Sequence, residues 1–193
     1  MPPLPQRFFA REVELVAREL LGCRIQRGEV VLRITEVEAY GGPEDSASHA
    51  RFGRTDRNAP MWGPAGRAYV YLCYGMHDML NVVADRRGRA AAVLIRSCEP
   101  LAGLPTILAR RGASKIGPKL LAGPGKVGAA LGLDPSWSHH PLHRRGELVV
   151  MDGDAPDSIR CGPRVGIDFA APEDRDRAWR FAIAGHPALS AKF

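Results

Sequence analysis

The pattern of hydrophobic and polar positions over the first forty residues predicts one helix followed by two strands. Residues 11–21 place apolar side chains at helical spacing and end at Gly22, a residue common just after a helix. The segments 23–27 and 30–40 follow, and the second is rich in Val, Ile and Thr before a Gly-Gly-Pro turn. An amphipathic helix should therefore pack against the strands that come after it.

The rest of the chain continues this mixture of strands and helices. The pattern predicts strands at 68–74, 79–84, 91–98, 148–151 and 164–167, a turn at 85–88, helices at 101–111 and 124–131, and a loop at 135–146. Neighbouring strands separated by short turns are expected to be antiparallel. No repeat or long linker divides the chain, so residues 1–193 are predicted to form a single α+β domain.

The end of the strand at 30–40 carries carboxylates where a core strand would be apolar. Side chains two residues apart share one face of a strand, so Glu38 and Tyr40 should point into one pocket, with Glu36 on the same face. The alternative is a strand that leaves the core with both glutamates solvated, because Glu is seldom fully buried.

The strand at 68–74 contains three tyrosines and ends at a glycine bend. Tyr69 and Tyr71 share a face, whereas Tyr74 lies on the other face, directly before Gly75. Tyr74 and Met76 are predicted at the tip of a hairpin, where an apolar side chain could wedge into a stack of bases. The alternative is ordinary aromatic packing within the sheet.

Arg96 ends the apolar strand at 91–98, and a buried cation requires a partner. Glu38 and Glu99 are the two candidates. Pairing with Glu38 would hold that carboxylate ionised and oriented, whereas a bridge to Glu99 alone would be purely structural.

Composition places the chain among ordinary globular proteins with a basic surface. It has 193 residues, 45% of them hydrophobic and 25% charged, and a net charge of +6. Basic residues cluster at 51–67 and 115–126, which favours a polyanionic partner, although a solvated basic face is the alternative.

Several classes of protein are disfavoured. No apolar run has the length of a membrane span, and the first residues lack the features of a signal peptide, so a cytoplasmic protein without membrane contact is expected. The four cysteines include no CxxC pair, and the histidines at 139, 140 and 143 lack firm metal spacing. We therefore expect no disulfide, no metal and no cofactor.

Taken together, these motifs resemble the alkyladenine (3-methyladenine) DNA glycosylase family. The similarity runs from about residue 8 to 187 and is strongest between 33 and 100. It is carried by Glu38-Ala39-Tyr40, Gly42-Pro43-Glu44-Asp45, His49, Tyr69-Val70-Tyr71, Tyr74-Gly75-Met76, Asn81, Leu94-Ile95-Arg96 and Gly123-Pro124-Gly125-Lys126. It implies a curved antiparallel sheet with flanking helices, and a protruding hairpin that enters the minor groove of double-stranded DNA.

The resemblance also implies roles for individual residues. Glu38 would be the general base that activates water, and Arg96 and a backbone carbonyl near Val165 would help to hold that water. The base pocket would be formed by Tyr40, His49, Tyr71 and Asn81, the last disfavouring the 2-amino group of guanine. Contacts with DNA would come from Tyr74, inserted where the nucleotide leaves the stack, and from Met76, His77, Arg54, Thr55, Met61 and Lys126.

Three regions depart from the family pattern. The loop at 55–61 is one residue shorter, which leaves the positions of its contacts open. His77 stands where some members carry another aromatic residue, which leaves the width of the wedge open, and residues 135–157 match poorly.

The implied reaction is base excision of 3-methyladenine and 7-methylguanine, with hypoxanthine and ethenoadenine as further candidate substrates. The enzyme is expected to be a monomer, and to associate with the nucleoid if it is bacterial. A lyase-type glycosylase needs an amine nucleophile, and no lysine lies between Glu38 and Arg96, so a monofunctional hydrolase is expected. A glycosidase using Glu36 as a second carboxylate stays open, although Glu36 is expected to point away into an ion pair. A non-catalytic DNA-damage-binding protein and a small-molecule enzyme of unrelated chemistry also stay open.

Overall fold

The computed structural model describes all residues, 1–193, and its centre is one eight-stranded antiparallel sheet. The strands are β1 (Arg24–Arg27), β2 (Val30–Tyr40), β3 (Ala68–Cys73), β4 (His77–Ala84), β5 (Ala91–Ala102), β6 (Leu148–Met151), β7 (Ile159–Gly162) and β8 (Arg180–Ile183). Their order is β3-β4-β5-β2-β1-β6, with β8 pairing β2 further along that strand and β7 pairing β8. The predicted α+β class with an antiparallel sheet is confirmed.

Five helices flank this sheet: α1 (Gln6–Phe9), α2 (Val13–Leu20), α3 (Leu104–Arg111), α4 (Pro124–Leu131) and α5 (Pro172–Arg175). Two short 3-10 helices lie at Ala59–Trp62 and Pro135–Trp137. The apolar stripe of α2 is buried against β2 and β5, as its periodicity predicts. No helix of the chain has the length and apolar character needed to cross a membrane.

Two element predictions are wrong. The helix expected from residue 101 begins at Leu104, because β5 continues to Ala102 and Gly103 then turns the chain with a φ of +76°. The strand expected at 164–167 does not form, and β7 and β8 lie on either side of that segment instead. Hydrogen bonds to side chains, rather than a strand ladder, hold this segment. Arg164 bonds to Asp45, and the amide of Val165 bonds to Glu38.

The pairing of β2 with β5 is irregular where the predicted site lies. Ile34 pairs with Cys98 and Val37 with Ile95, but Glu36 between them pairs with Ser97, so the register is shifted locally at Glu36. Such bulges bend the strands and increase their twist. Both Glu36 and Glu38 are fully buried at this bend, so the alternative of two solvated glutamates is wrong.

The hairpin of β3 and β4 is braced by α4 next to its tip, where β4 begins. A Cβ atom on Gly125 would lie 2.8 Å from the Cβ of His77, and one on Gly128 would overlap the backbone carbonyl of Asp78. The two glycines therefore allow the helix to lie directly against β4. This contact fixes where the hairpin projects.

We predict that Gly128→Ala lowers the free energy of unfolding by roughly 1–3 kcal/mol, because a backbone carbonyl cannot move aside as a side chain can. The substitution alone would favour the helix by about 1 kcal/mol. Urea denaturation measures the net effect. Gly117→Ala is the control, since nothing lies within 4 Å of that position, and equal stability of the two variants would contradict the close-packing argument.

Candidate active site

A cavity of about 670 Å³ opens beside the hairpin, between β3, β4, β5 and the loop that joins β7 to β8. Its walls include all four residues predicted for the base pocket, Tyr40, His49, Tyr71 and Asn81. Arg96 and Val165, predicted to hold the water, also line it, as do Met61 and Tyr74. The volume is in the range typical of small-molecule sites in proteins.

Glu38 does not itself line the cavity, but it lies directly behind this wall, fully buried, with both carboxylate oxygens hydrogen-bonded to residues that do line it. Oε1 accepts a bond of 2.7 Å from the amide of Val165, and Oε2 accepts bonds from the Tyr40 hydroxyl at 2.8 Å and Arg96 Nη1 at 3.2 Å. The backbone group of Val165 that contacts Glu38 is thus the amide, whereas the sequence pointed to a carbonyl near this residue for holding water.

Arg96 joins the two buried glutamates. Its guanidinium is 3.2 Å from Glu38 and 3.4 Å from Glu36. Burial alone would lower the pKa of Arg96, but the two carboxylates outweigh it and raise that pKa. A bridge to Glu99 alone is wrong, since Glu99 pairs with Arg33 and His186.

Glu36 is held from several sides. Arg180 Nε lies 2.7 Å from Oε1, and the amide of Ser190 donates to Oε2 at 2.6 Å. Burial would raise the pKa of Glu36, but the Ser190 amide and the charge of Arg96 outweigh it and lower that pKa. The expected ion pair is confirmed, but Glu36 does not point away from Glu38, since both contact Arg96. Glu36 does not line the cavity.

Aromatic rings form the opposite wall. The His49 and Tyr71 rings meet edge to face with centroids 4.6 Å apart, and His49 Nδ1 lies 2.9 Å from the Tyr69 hydroxyl. Burial, with a smaller contribution from Arg57 and Arg51, lowers the pKa of His49 to about 4, so the imidazole is neutral at pH 7. Burial and the charge of Glu38 raise the pKa of Tyr40, so its phenol keeps the proton it donates.

Two further residues of the wall are fixed by the strands beneath them. The Asn81 amide nitrogen donates to the carbonyls of Tyr69 and Met79 at 3.1 and 3.2 Å. Met61 is only 2% exposed and packs beside Tyr69. The expectation of a DNA contact from Met61 needs correction, because its side chain lies in the cavity wall and has almost no outer surface.

The hairpin tip presents large apolar side chains to solvent. Tyr74 is 87% exposed and Met76 is 72% exposed. Tyr74 and Gly75 have φ values of 50° and 67°, and the Met76 amide donates to the Cys73 carbonyl at 3.1 Å, as in the tight turns favoured by hairpins. Packing within the sheet describes Tyr69, which is buried, but not Tyr74.

The remaining residues expected at DNA lie on the outer surface near the cavity. Arg54, Thr55 and His77 are exposed. Lys126 is half-buried, and its Nζ donates to the Lys119 carbonyl at 2.9 Å. Burial and the neighbouring Arg111 and Lys119 lower the pKa of Lys126.

Sequence reasoning missed a buried ion pair behind Tyr40. Arg164 binds Asp45 through two bonds of 2.6 and 2.9 Å and donates to the Ala39 carbonyl at 3.0 Å. Its guanidinium carbon lies 4.8 Å from the centre of the Tyr40 ring. Arg164 thus ties the loop that carries Val165 to the end of β2. Its partner is 119 residues away, and no local pattern indicates the pairing.

The donor groups around the site do not suggest a metal centre. No group of three or more His, Cys, Asp or Glu side chains in residues 1–193 is arranged to hold a metal ion. All four cysteines are free thiols.

Comparison with known proteins identifies the family. The family model for methylpurine-DNA glycosylase (MPG) matches residues 7–187. A protein of Nitrosococcus oceani, whose name contains the words 3-methyladenine DNA glycosylase, is 58% identical over 98% of this chain and 94% of its own length. The DNA-3-methyladenine glycosylase of Arabidopsis thaliana is 56% identical over 99% of this chain and 75% of its own length. The chain therefore belongs to the methylpurine-DNA glycosylase family, as a monofunctional, hydrolytic DNA glycosylase of DNA repair.

Proposed function

We propose that the protein flips alkylated purines out of double-stranded DNA into the aromatic cavity and releases them with water activated by Glu38. The observation that carries this proposal is one buried, fully oriented carboxylate directly behind the wall of an aromatic cavity, bonded to three residues that line it. A glycosylase that hydrolyses its substrate needs one ionised carboxylate within reach of a water beside the sugar. Glu38 has the position and the partners for this role.

The cavity suits a flat, cationic base. Bases such as 3-methyladenine and 7-methylguanine carry positive charge and leave readily, and aromatic faces attract cations by about 0.5–2 kcal/mol. Tyr40, Tyr71 and His49 supply such faces, and a neutral His49 does not repel the charge. The same slot would take the flat hypoxanthine and ethenoadenine. Asn81 is placed to disfavour the 2-amino group of ordinary guanine.

The hydrogen bonds of Glu38 leave one acceptor position of the carboxylate for the attacking water. An ionised carboxylate has about four acceptor positions, and three protein donors occupy Glu38. Oε1 has a single partner and is the oxygen we assign to water. Arg96 pairs with Glu38. The proton from water passes to the carboxylate as water attacks the sugar C1′, and the C1′–N bond breaks so that its electron pair leaves with the cationic purine, which departs as a neutral base. No lysine lines the cavity to form a Schiff base.

The exposed hairpin supplies the group that replaces the flipped nucleotide. Flipping costs a few kcal/mol, which damaged bases offset in part by pairing weakly. We assign Tyr74 as the wedge, flanked by Met76 and His77, because these side chains stand free in solvent beside the cavity mouth. Arg54, Thr55 and Lys126 would contact the backbone of DNA, in keeping with the net charge of +6.

We further propose that residues 1–193 act as one domain, because one sheet connects strands from β1 to β8, and that this domain acts as a monomer. A cytoplasmic location, at the nucleoid if the source is bacterial, fits a DNA substrate.

Glu38→Gln should bind lesion-containing duplex normally but release base at least about a hundredfold more slowly, because an amide cannot accept the proton of water. Single-turnover base release from methylated duplex DNA measures the rate, lesion affinity measures binding, and the melting temperature measures stability. Stability should fall by no more than a few kcal/mol, since Glu36 still pairs with Arg96.

Glu36→Gln is the matched control, because it removes a buried charge from the same arginine without removing a bond to Tyr40 or Val165 of the cavity wall. It should lose comparable stability and much less of the release rate. Near-normal release by a folded Glu38→Gln protein would exclude Glu38 as the base.

Tyr74→Ala should weaken capture of the flipped nucleotide while leaving the melting temperature nearly unchanged, because the ring has almost no protein contacts to lose. Lesion affinity and a fluorescent base analogue at the flipping position measure capture. Leu15→Ala is the control, an exposed apolar residue on α2 outside the cavity. A stability loss like that of a core Phe→Ala, about 3–5 kcal/mol, would show that Tyr74 is a packing residue.

His49 should make stability depend on pH in the acidic range. Burial lowers its pKa from 6.5 to about 4 in the folded protein, so the unfolded chain takes up this proton first as pH falls. The contribution of neutral His49 is therefore complete above pH 6.5 and is lost progressively towards pH 4, up to about 3 kcal/mol. Unfolding free energies at pH 7 and pH 5 should differ less in His49→Gln than in the wild type. An unchanged difference would contradict the burial of the imidazole.

A further inference from the structure

We infer that Ser190, near the C-terminus, is a positioning residue that holds Arg96 in place for Glu38. The inference rests on the proposed roles of Glu38 and Arg96 and adds a contribution from the last residues of the chain. None of the motifs at the cavity includes this segment. Its link to the reaction is a short chain of hydrogen bonds.

The C-terminal segment lies against β2 and is anchored at several points. The Thr35 hydroxyl donates to the Ala188 carbonyl at 2.8 Å. The Ser190 amide donates to Glu36 at 2.6 Å, and Arg180 donates to the carbonyls of Ala191 and Lys192 at 2.6 and 3.1 Å. The backbone of the segment is therefore held without any help from the Ser190 hydroxyl.

That hydroxyl occupies the space between two charged groups. Arg96 Nε lies 3.0 Å from Ser190 Oγ, and Ser190 Oγ lies 2.8 Å from Glu36 Oε1. A guanidinium can only donate and an ionised carboxylate can only accept. The hydroxyl therefore accepts from Arg96 and donates to Glu36, with its orientation fixed.

The bond to Nε controls the whole guanidinium, because the group is planar and rigid. With Nε held by Ser190, Nη1 of the same plane points to Glu38 at 3.2 Å. Nε is also 3.4 Å from Glu36 itself. Without the hydroxyl, Glu36 becomes the direct partner of Nε and draws the guanidinium towards it, away from Glu38. Glu38 then keeps its charge partner only loosely, and the bonds from Val165 and Tyr40 alone orient the carboxylate.

Ser190→Ala tests this arrangement in the full-length protein. We expect single-turnover release from methylated duplex DNA to fall roughly tenfold, because small misplacements of catalytic groups have large kinetic effects. Lesion affinity should change less than twofold, since the aromatic wall and the hairpin are untouched. Ser190→Thr, which restores a hydroxyl at a half-buried position, should recover most of the rate.

Thr35→Val is the matched control. It removes one buried hydrogen bond between the same segment and the same strand, but it does not touch Arg96. It should lower the melting temperature at least as much as Ser190→Ala and leave the release rate unchanged. This outcome would separate positioning of Arg96 from docking of the C-terminal segment.

Three results would overturn the inference: normal release by Ser190→Ala, equal slowing by Thr35→Val, or no recovery in Ser190→Thr. Failure of the proposed function gives a different result, namely near-normal release by Glu38→Gln. If Glu38→Gln is inactive and Ser190→Ala is normal, only the role of Ser190 fails.

Discussion

The site depends on a group of four charged side chains buried at the bend of β2. Glu36 and Glu38 are fully buried, and Arg96 and Arg180 are 7% and 4% exposed. Removing such charges from water costs several kcal/mol each, and only mutual pairing with further hydrogen bonds compensates for it. The two acids and two arginines balance in charge. The Ser97 hydroxyl and the Ser190 amide occupy further hydrogen-bond positions of the Glu36 carboxylate. The chain must therefore bring these elements together for the buried charges to be tolerated.

This requirement links distant parts of the chain to one strand. Glu36 draws β8 and the C-terminal segment onto β2, while Glu38 draws the loop at Val165 towards the same strand. The Arg164–Asp45 pair fastens that loop a second time, behind Tyr40. The carboxylate that we assign to catalysis is thus held by residues of the cavity wall, and Arg96 and the Val165 loop are fastened in turn by ion pairs outside the cavity. The general base that we propose is therefore held in a fixed position.

The two sides of the cavity differ in their physical properties, since one side is charged and the other is aromatic. In the function that we propose, the charged side holds a proton acceptor near the sugar, and the aromatic side offers uncharged faces to a cationic base. At the hairpin tip Tyr74 and Met76 are exposed, and α4 packs directly beside the tip, against the start of β4. The close packing of the α4 glycines on β4 sets the position of the hairpin tip relative to the cavity.

The sequence by itself determined the features that depend on near neighbours: most strands and helices, the shared face of Glu38 and Tyr40, and the exposed turn at Tyr74. Periodicity and turn residues report such features directly. Only the tertiary structure decided that Glu36 and Glu38 share Arg96, that Arg164 pairs with Asp45, and that Ser190 reaches the site. The Ser190–Glu36 contact spans 154 residues, and pairs so far apart leave no local pattern, because any arginine or serine could have met a buried glutamate.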